Sequence, residues 1–212
     1  MKQLLIILLA VIATMGSSSA QSFVGKLNPN PVVNKNDFSL GDSLRILAVL
    51  VDFPEDKDDA TFGNGKFGSI YSKDYGITIL DPLPHNSEYF EDHLTFAKNY
   101  YNKVSRDKFN VSFSVLGDIL TVSQTMRSYT PPINDLNDLS PMADFTEEVW
   151  KLADEHYVNI DFSNYDLFVI FHAGVGKDVS LPGSIGNERD LPSVYMSHNT
   201  FQNIYGDDFV IL

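Results

Sequence analysis

Five histidines, at positions 85, 93, 156, 172 and 198, are the side chains of this 212-residue chain best suited to hold a metal or to move a proton near neutral pH. Their spacing limits what they can do. None is followed by glutamate and then by a second histidine four positions on, so the helical zinc signature H-E-x-x-H is absent. His93 stands among Glu91, Asp92 and Leu94 and reads as a surface or boundary residue of a helix. His156 continues an apolar helical stripe and reads as a satisfied boundary histidine. His85 and His198 fall in loops without a local ligand partner. His172 differs, because it closes an apolar run and precedes Ala-Gly-Val-Gly-Lys-Asp, where the end of a sheet presents side chains and bare backbone to a cleft. One histidine at a strand end is a weak signal, and a hydrogen-bonded structural role is favoured over a functional one.

Other chemistries fail on spacing or on residue type. Thiol catalysis is excluded because the chain has no cysteine. Gly183-Ser184-Ile185-Gly186 does not match the G-x-S-x-G of a serine hydrolase and does not stand between a strand and a helix. Gly174 and Gly176 lack the further glycine and the helix of a dinucleotide site. Gly63, Gly65 and Gly68 lack the Lys-Ser/Thr of a phosphate loop. Asp56 to Thr61 lacks the ligand set and the sixth-position glycine of a calcium loop and reads as a solvated turn.

The 15 basic and 28 acidic residues leave a net charge of -13, and no basic stripe interrupts the acidity. Such a surface repels phosphate backbones and anionic lipid, so no nucleic-acid partner is expected. Residues 1–20 have the three parts of a secretory signal: Lys2 as the single charge, the apolar run Leu4 to Ala13, and the small residues Ser17 to Ala20. The run is about half of what a bilayer crossing needs, so no stable membrane anchor is expected and the chain reads as secreted or extracytoplasmic. Residues 21–43, rich in Asn, Gly and Pro, read as a linker or short pro-segment, and 44–212 as the folded part. Phe209 to Leu212 ends the chain on an apolar run without a polar tail, which favours a chain cut short.

Several elements must position these groups. Leu44 to Phe53 is almost continuously apolar and predicts a strand covered on both faces. Asn86 to Arg106 predicts a helix, with Phe90, Leu94, Ala97, Tyr101 and Val104 on one stripe, acids at its start and bases at its end. Val111 to Val122 alternates around Gly117-Asp118 and predicts a hairpin. Ser140-Pro141 opens a second helix, with Met142, Phe145, Val149, Leu152 and His156 on one face. Tyr165 to His172 predicts a central strand, and Ser193 to Ser197 a short one. This order predicts an α/β (α+β) fold, a mixed sheet with two helices packed on it.

Three stretches together resemble the N-terminal half of the catalytic domain of secreted immune-inhibitor-A-like zinc metallopeptidases. They are Ile46 to Pro54 (ILAVLVDFP), the Tyr-Phe-Glu helix and paired-strand segment within Ser87 to Val122, and Tyr165 to Gly176 (YDLFVIFHAGVG), the most specific piece, with Asp178 and Ser180 following. The resemblance spans roughly Leu44 to Ser197. It implies a zincin-like twisted mixed sheet, a zinc-binding H-E-x-x-H helix downstream of the part seen here, and a protein or peptide substrate. A chain that stops before that helix would be inactive alone, with zinc the cofactor of the longer form only. Calcium belongs to an Asp-rich stretch often found in that family, here reduced to Asp161-Phe-Ser-Asn-Tyr-Asp166, and nothing supports calcium there. In zincin-like folds an edge strand pairs with the extended substrate. The resemblance then makes His172, Gly174, Val194, Tyr195, Met196 and Ser197 the candidates for the substrate cleft, with Val194 to Ser197 as the edge. The alternative is a non-catalytic secreted binding module or a degenerate relative of the peptidases. If the signal is read and cleaved after Ala20, the mature N-terminus is Gln21, and mass spectrometry of secreted material retaining Met1 would contradict it.

Overall fold

The computed structural model describes residues 43–68, 83–178 and 187–206. The signal segment, most of the linker, Ser180, Gly183 to Gly186 and the apolar run Phe209 to Leu212 lie outside the described residues. The fold is α+β: the described residues form a three-stranded parallel sheet of order β2-β1-β3 carrying four α-helices.

β1 (Ser43–Asp52) is the centre, and every residue from Ile46 to Asp52 is buried. Its alternation feeds two cores. Leu47, Val49 and Val51 join a large cluster with Phe145, Val149 and Leu191, while Ile46 and Ala48 join a smaller one with Leu94 and Val111. An unbroken apolar run is what a strand covered on both faces requires.

α1 (Ser87–Ser105) begins where Asn86 accepts the Tyr89 N–H at 3.2 Å. It ends on two non-glycine residues with positive φ, Arg106 at 57° and Asp107 at 61°. Of the expected stripe, Phe90 and Leu94 are buried, but Tyr101 and Val104 are 48% and 56% exposed. The cluster on this face has only four buried residues, and Tyr101 meets just the partly buried Phe109 at its margin, ring centroids 6.1 Å apart.

β2 (Asn110–Thr121) corrects the hairpin. It is one strand, parallel to β1 throughout, with Ser43 opposite Asn110 and Asp52 opposite Thr121. The register breaks where Ala48 faces Val115 and Leu50 faces Ile119, so two steps along β1 match four along β2. Gly117-Asp118 is therefore part of a bulge, and Gly117 is not among the glycines with positive φ. The C-terminal end of α3 (Ser140–His156) fastens this bulge: the Asp118 N–H donates to the Tyr157 hydroxyl at 3.0 Å and the Asp118 carboxylate meets His156 Nε2 at 3.0 Å.

A short helix, α2 (Met126–Tyr129), precedes α3, whose buried face is Met142, Ala143, Phe145, Val149 and Ala153. Ser140 does not cap α3; its own N–H donates to Asp138, and Pro141 occupies the first turn. β3 (Leu167–His172) pairs parallel to β1 from Ile46 opposite Leu167 to Val51 opposite His172. Its start is clamped: the Asp166 carboxylate accepts from Arg45 N, Nε and Nη2 at 2.9 to 3.0 Å, and the Asp166 N–H donates to the Arg45 carbonyl at 2.8 Å. A bidentate pair fixes direction as well as distance.

The expected strand Ser193 to Ser197 does not form. Ser197 is instead the N-cap of α4 (His198–Tyr205), accepting the Thr200 N–H while Thr200 Oγ1 accepts the Ser197 N–H at 3.2 Å. This reciprocal cap ends the extended run and starts a helix where the sequence suggested an edge.

Two glycines separate required conformations from tolerated ones. At Gly174 φ is 98°, and a Cβ would stand 2.6 Å from Met126 Cε and 3.3 Å from the Phe62 carbonyl oxygen. Around Gly117 nothing lies within 4 Å. Gly174→Ala is expected to cost about 1–3 kcal/mol in chemical denaturation. Gly117→Ala should stay within about 0.5 kcal/mol of the parent. A large loss at Gly117 would restore the hairpin.

Candidate functional site

Strand order places the site. The chain runs from β1 to β2 on one side and returns to β3 on the other, so the carboxyl ends of β1 and β3 flank a switch point, where open parallel sheets leave a crevice. Three segments meet there: the loop after β1, the His172-Ala173-Gly174 turn after β3, and residues 187–197.

The loop after β1 is held at several points. Asp52 accepts from Lys66 Nζ at 3.0 Å and from the Thr121 hydroxyl at 2.6 Å, and the Phe53 N–H donates to the Gly65 carbonyl at 2.8 Å. Asp56 and Asp58, weighed above as calcium ligands, serve the loop itself. Asp56 accepts the Asp58 N–H, and Asp58 accepts the Ala60 N–H and the Arg127 guanidinium at 3.0 Å. The Ala60 hydrogen bond, joined by Arg127, holds the Asp58 carboxyl below its ordinary range. Asp161 likewise caps the turn Phe162–Asn164, and Asp166 is committed to Arg45.

His172 ends β3 with its ring edge-on to Phe53, centroids 6.2 Å apart. Its Nδ1 lies 2.9 Å from the Ala173 carbonyl oxygen, which can only accept, so Nδ1 carries the hydrogen and Nε2 the lone pair. Burial pushes its pKa down, only partly offset by that hydrogen bond, and the imidazole is neutral at neutral pH.

Asp190 is the group that sequence reasoning missed. It is fully buried, its Oδ1 accepts the Phe62 N–H at 2.7 Å, and its Oδ2 is buried with no hydrogen-bond partner. Burial raises its pKa to about 6, against the Phe62 hydrogen bond and the charge of Lys177. The neighbouring Arg189 spans to α2, donating to the carbonyls of Arg127, Thr130 and Pro131 at 3.0 to 3.3 Å. No local pattern marks Asp190, because its burial depends on a loop 128 positions away.

A cavity of about 1090 Å³ runs along β3. Phe145 and Trp150 of α3, the whole of β3, and Leu191 to Ser197 line it. His172, Gly174, Val194, Tyr195, Met196 and Ser197 all stand around this one cavity, the last four as an extended connection and helix cap rather than as a strand. Lys177, which directly follows Gly174-Val-Gly176, donates its N–H to the Leu191 carbonyl at 2.9 Å, and Asp178 accepts the Ser193 N–H at 2.6 Å, so the turn after β3 and the connection are tied together. The Ser197 hydroxyl is engaged with Thr200 Oγ1 and accepts the Thr200 N–H.

The described residues do not fit a catalytic zinc. Among them no three His, Cys, Asp or Glu side chains converge, and the histidines are dispersed. His93 Nδ1 donates to the Tyr89 carbonyl, His156 meets Asp118, His85 packs at a tilt against Tyr89, and His198 opens α4. Among the described residues no helix is long and apolar enough to cross a membrane. No family profile, no curated protein and no solved structure matches this chain.

Asp190 makes stability depend on pH in a stated direction. A carboxyl whose pKa rises on folding favours the folded state most when protonated, so stability is lost as pH climbs from about 4 through about 6 and the penalty is complete above that. Asp190→Asn mimics the protonated form. Relative to the parent it is expected to gain about 1–2 kcal/mol between pH 4 and pH 8, measured as the change in the denaturation difference. A difference that does not vary with pH would refute the burial of a charge at this site.

Proposed function

We propose that this chain is the N-terminal part of the catalytic domain of an exported zinc endopeptidase, a scaffold that lacks the metal-binding helix. The observation that carries the reading is that the three stretches behind the resemblance meet in one unit. ILAVLVDFP forms the central strand and its exit, the Ser87 helix and the strand after it cover and extend one side, and YDLFVIFHAGVG forms the other side and ends at His172. The large cavity beside the His-Ala-Gly turn supports it, because a peptidase cleft at that turn needs room for a chain to lie. In the longer form, zinc would activate a water for attack on a peptide carbonyl. The contribution of this part would be to hold the strands and the neutral His172 at the cleft wall.

The apolar lining of the cavity would equally serve a secreted binding module that performs no chemistry, which is the second reading. The reading frame beyond codon 212 separates the two. The peptidase reading expects an open frame running into H-E-x-x-H, and expects the longer product to cleave casein in a chelator-sensitive manner that added zinc restores. The 212-residue chain itself is expected to cleave nothing, with or without zinc. A stop codon directly after Leu212, or a longer product whose proteolysis ignores chelators, would overturn it.

A further inference from the structure

α1 carries two apolar stripes, and the sheet covers one of them. Phe90 and Leu94 belong to the covered stripe and are buried. The second, Tyr89, His93, Phe96, Tyr100 and Val104, advances by steps of four, three, four and four, the spacing by which one helix presents a seam to another. It looks outward. Phe96 is 73% and Tyr100 53% exposed, and their rings lie nearly parallel, centroids 6.5 Å apart and planes 21° from each other. Large apolar side chains left in water in a row, and not singly, mark a contact surface. None of His93, Phe96, Tyr100 and Val104 lines the cavity along β3, so this face has no part in the site described above.

The charges beside the stripe identify what covers it. At 3.6 residues per turn one flank holds Glu88 and Asp92 in the first half of the helix, and Lys103 and Arg106 at its end. All four are exposed, and among the described residues no ion pair engages any of them. A second copy of α1 laid antiparallel reverses their order, so Glu88 and Asp92 of each copy meet Lys103 and Arg106 of the other, while Phe96, at the middle of the helix, lies near the twofold axis. An acidic helix of another protein would match only the basic half, and an anionic membrane would be repelled by the acidic half; a second copy answers both. The chain as a whole carries -13, but across residues 87–108 Glu88, Glu91, Asp92 and Asp107 are balanced by Lys98, Lys103, Arg106 and Lys108, and exposed charges farther off than about 8 Å are screened at physiological salt. We propose that α1 is the contact of a twofold-symmetric dimer of this chain, packed antiparallel on the Phe96–Tyr100 stripe with the opposite charges of its two halves facing each other. The 19 residues of α1 span about 28 Å, so a single helix pair lies at the small end of specific interfaces and the dimer is a weak one. The inference does not rest on the peptidase reading.

Sedimentation equilibrium of the whole chain should show a reversible monomer–dimer equilibrium with a dissociation constant of about 1–100 μM. Two variants make the flank uniform in sign at exposed positions: Asn99→Glu with Lys103→Glu leaves it acidic as far as residue 103, and Glu88→Lys with Asp92→Lys makes it basic throughout. Each variant alone should associate about tenfold more weakly than the parent, or worse. Mixed in equal amounts, the two should form a heterodimer at least as tight as the parent dimer, which also shows that neither has lost its fold. Phe96→Ala, at an exposed position, should leave the circular dichroism spectrum unchanged and weaken the dimer by about tenfold. A parent that stays monomeric up to about 1 mM, or a mixture that associates no better than its components, would overturn the proposal. A monomeric parent that pellets with vesicles of anionic phospholipid would overturn it as well and give the stripe to a membrane surface.

Discussion

The backbone of β1 is sealed from water, and every other part of the sheet follows from that. Ile46 to Asp52 are buried on both faces, so their N–H and C=O groups must find protein partners on both edges. β2 supplies one edge and β3 the other, both in parallel. Parallel neighbours require crossovers, which is why helices separate the strands and why one long helix lies against each face. The Arg45–Asp166 clamp and the Asp52–Thr121 bond sit at opposite ends of β1 and fix where each partner begins or stops.

What could be read in the sequence divides along one physical line. β1, α1, α3 and the span of β3 were legible because their own periodicity or continuous apolarity reports burial, and the observed ends fall within a few positions of the expected ones; the expected central place of β3 was not, since β1 takes it and β3 stands last in the order β2-β1-β3 among the described residues. Gly117-Asp118 misled because a break in alternation looks the same whether the chain reverses or merely bulges; only the pairing with β1 decides. Val194 to Ser197 misled in another way. The composition suited a strand, but Ser197-x-x-Thr200 was already a cap signal, and the cap prevailed. Asp190 could not be found at all, since its burial arises from Phe62 and from a segment distant in the chain.

The acids of this chain divide by what they hold. Asp52, Asp58, Asp161 and Asp166 serve as fasteners of backbone and of cations, and their pattern in sequence mimics ligand runs while their geometry is that of turns. Others, on α3, line the cavity instead. The excess of acid thus both builds loops and colours one surface.

The clamp between Arg45 and Asp166 joins residues 121 positions apart. At ordinary rates of synthesis of about 5–20 residues per second, β1 waits roughly ten seconds for its last neighbour to be made. Throughout that interval β1, buried on both faces in the folded protein, has an open ladder. Such distant pairing slows folding and lengthens exposure to mispairing. Until residue 172 has been made, the second edge of β1 has no partner among the described strands.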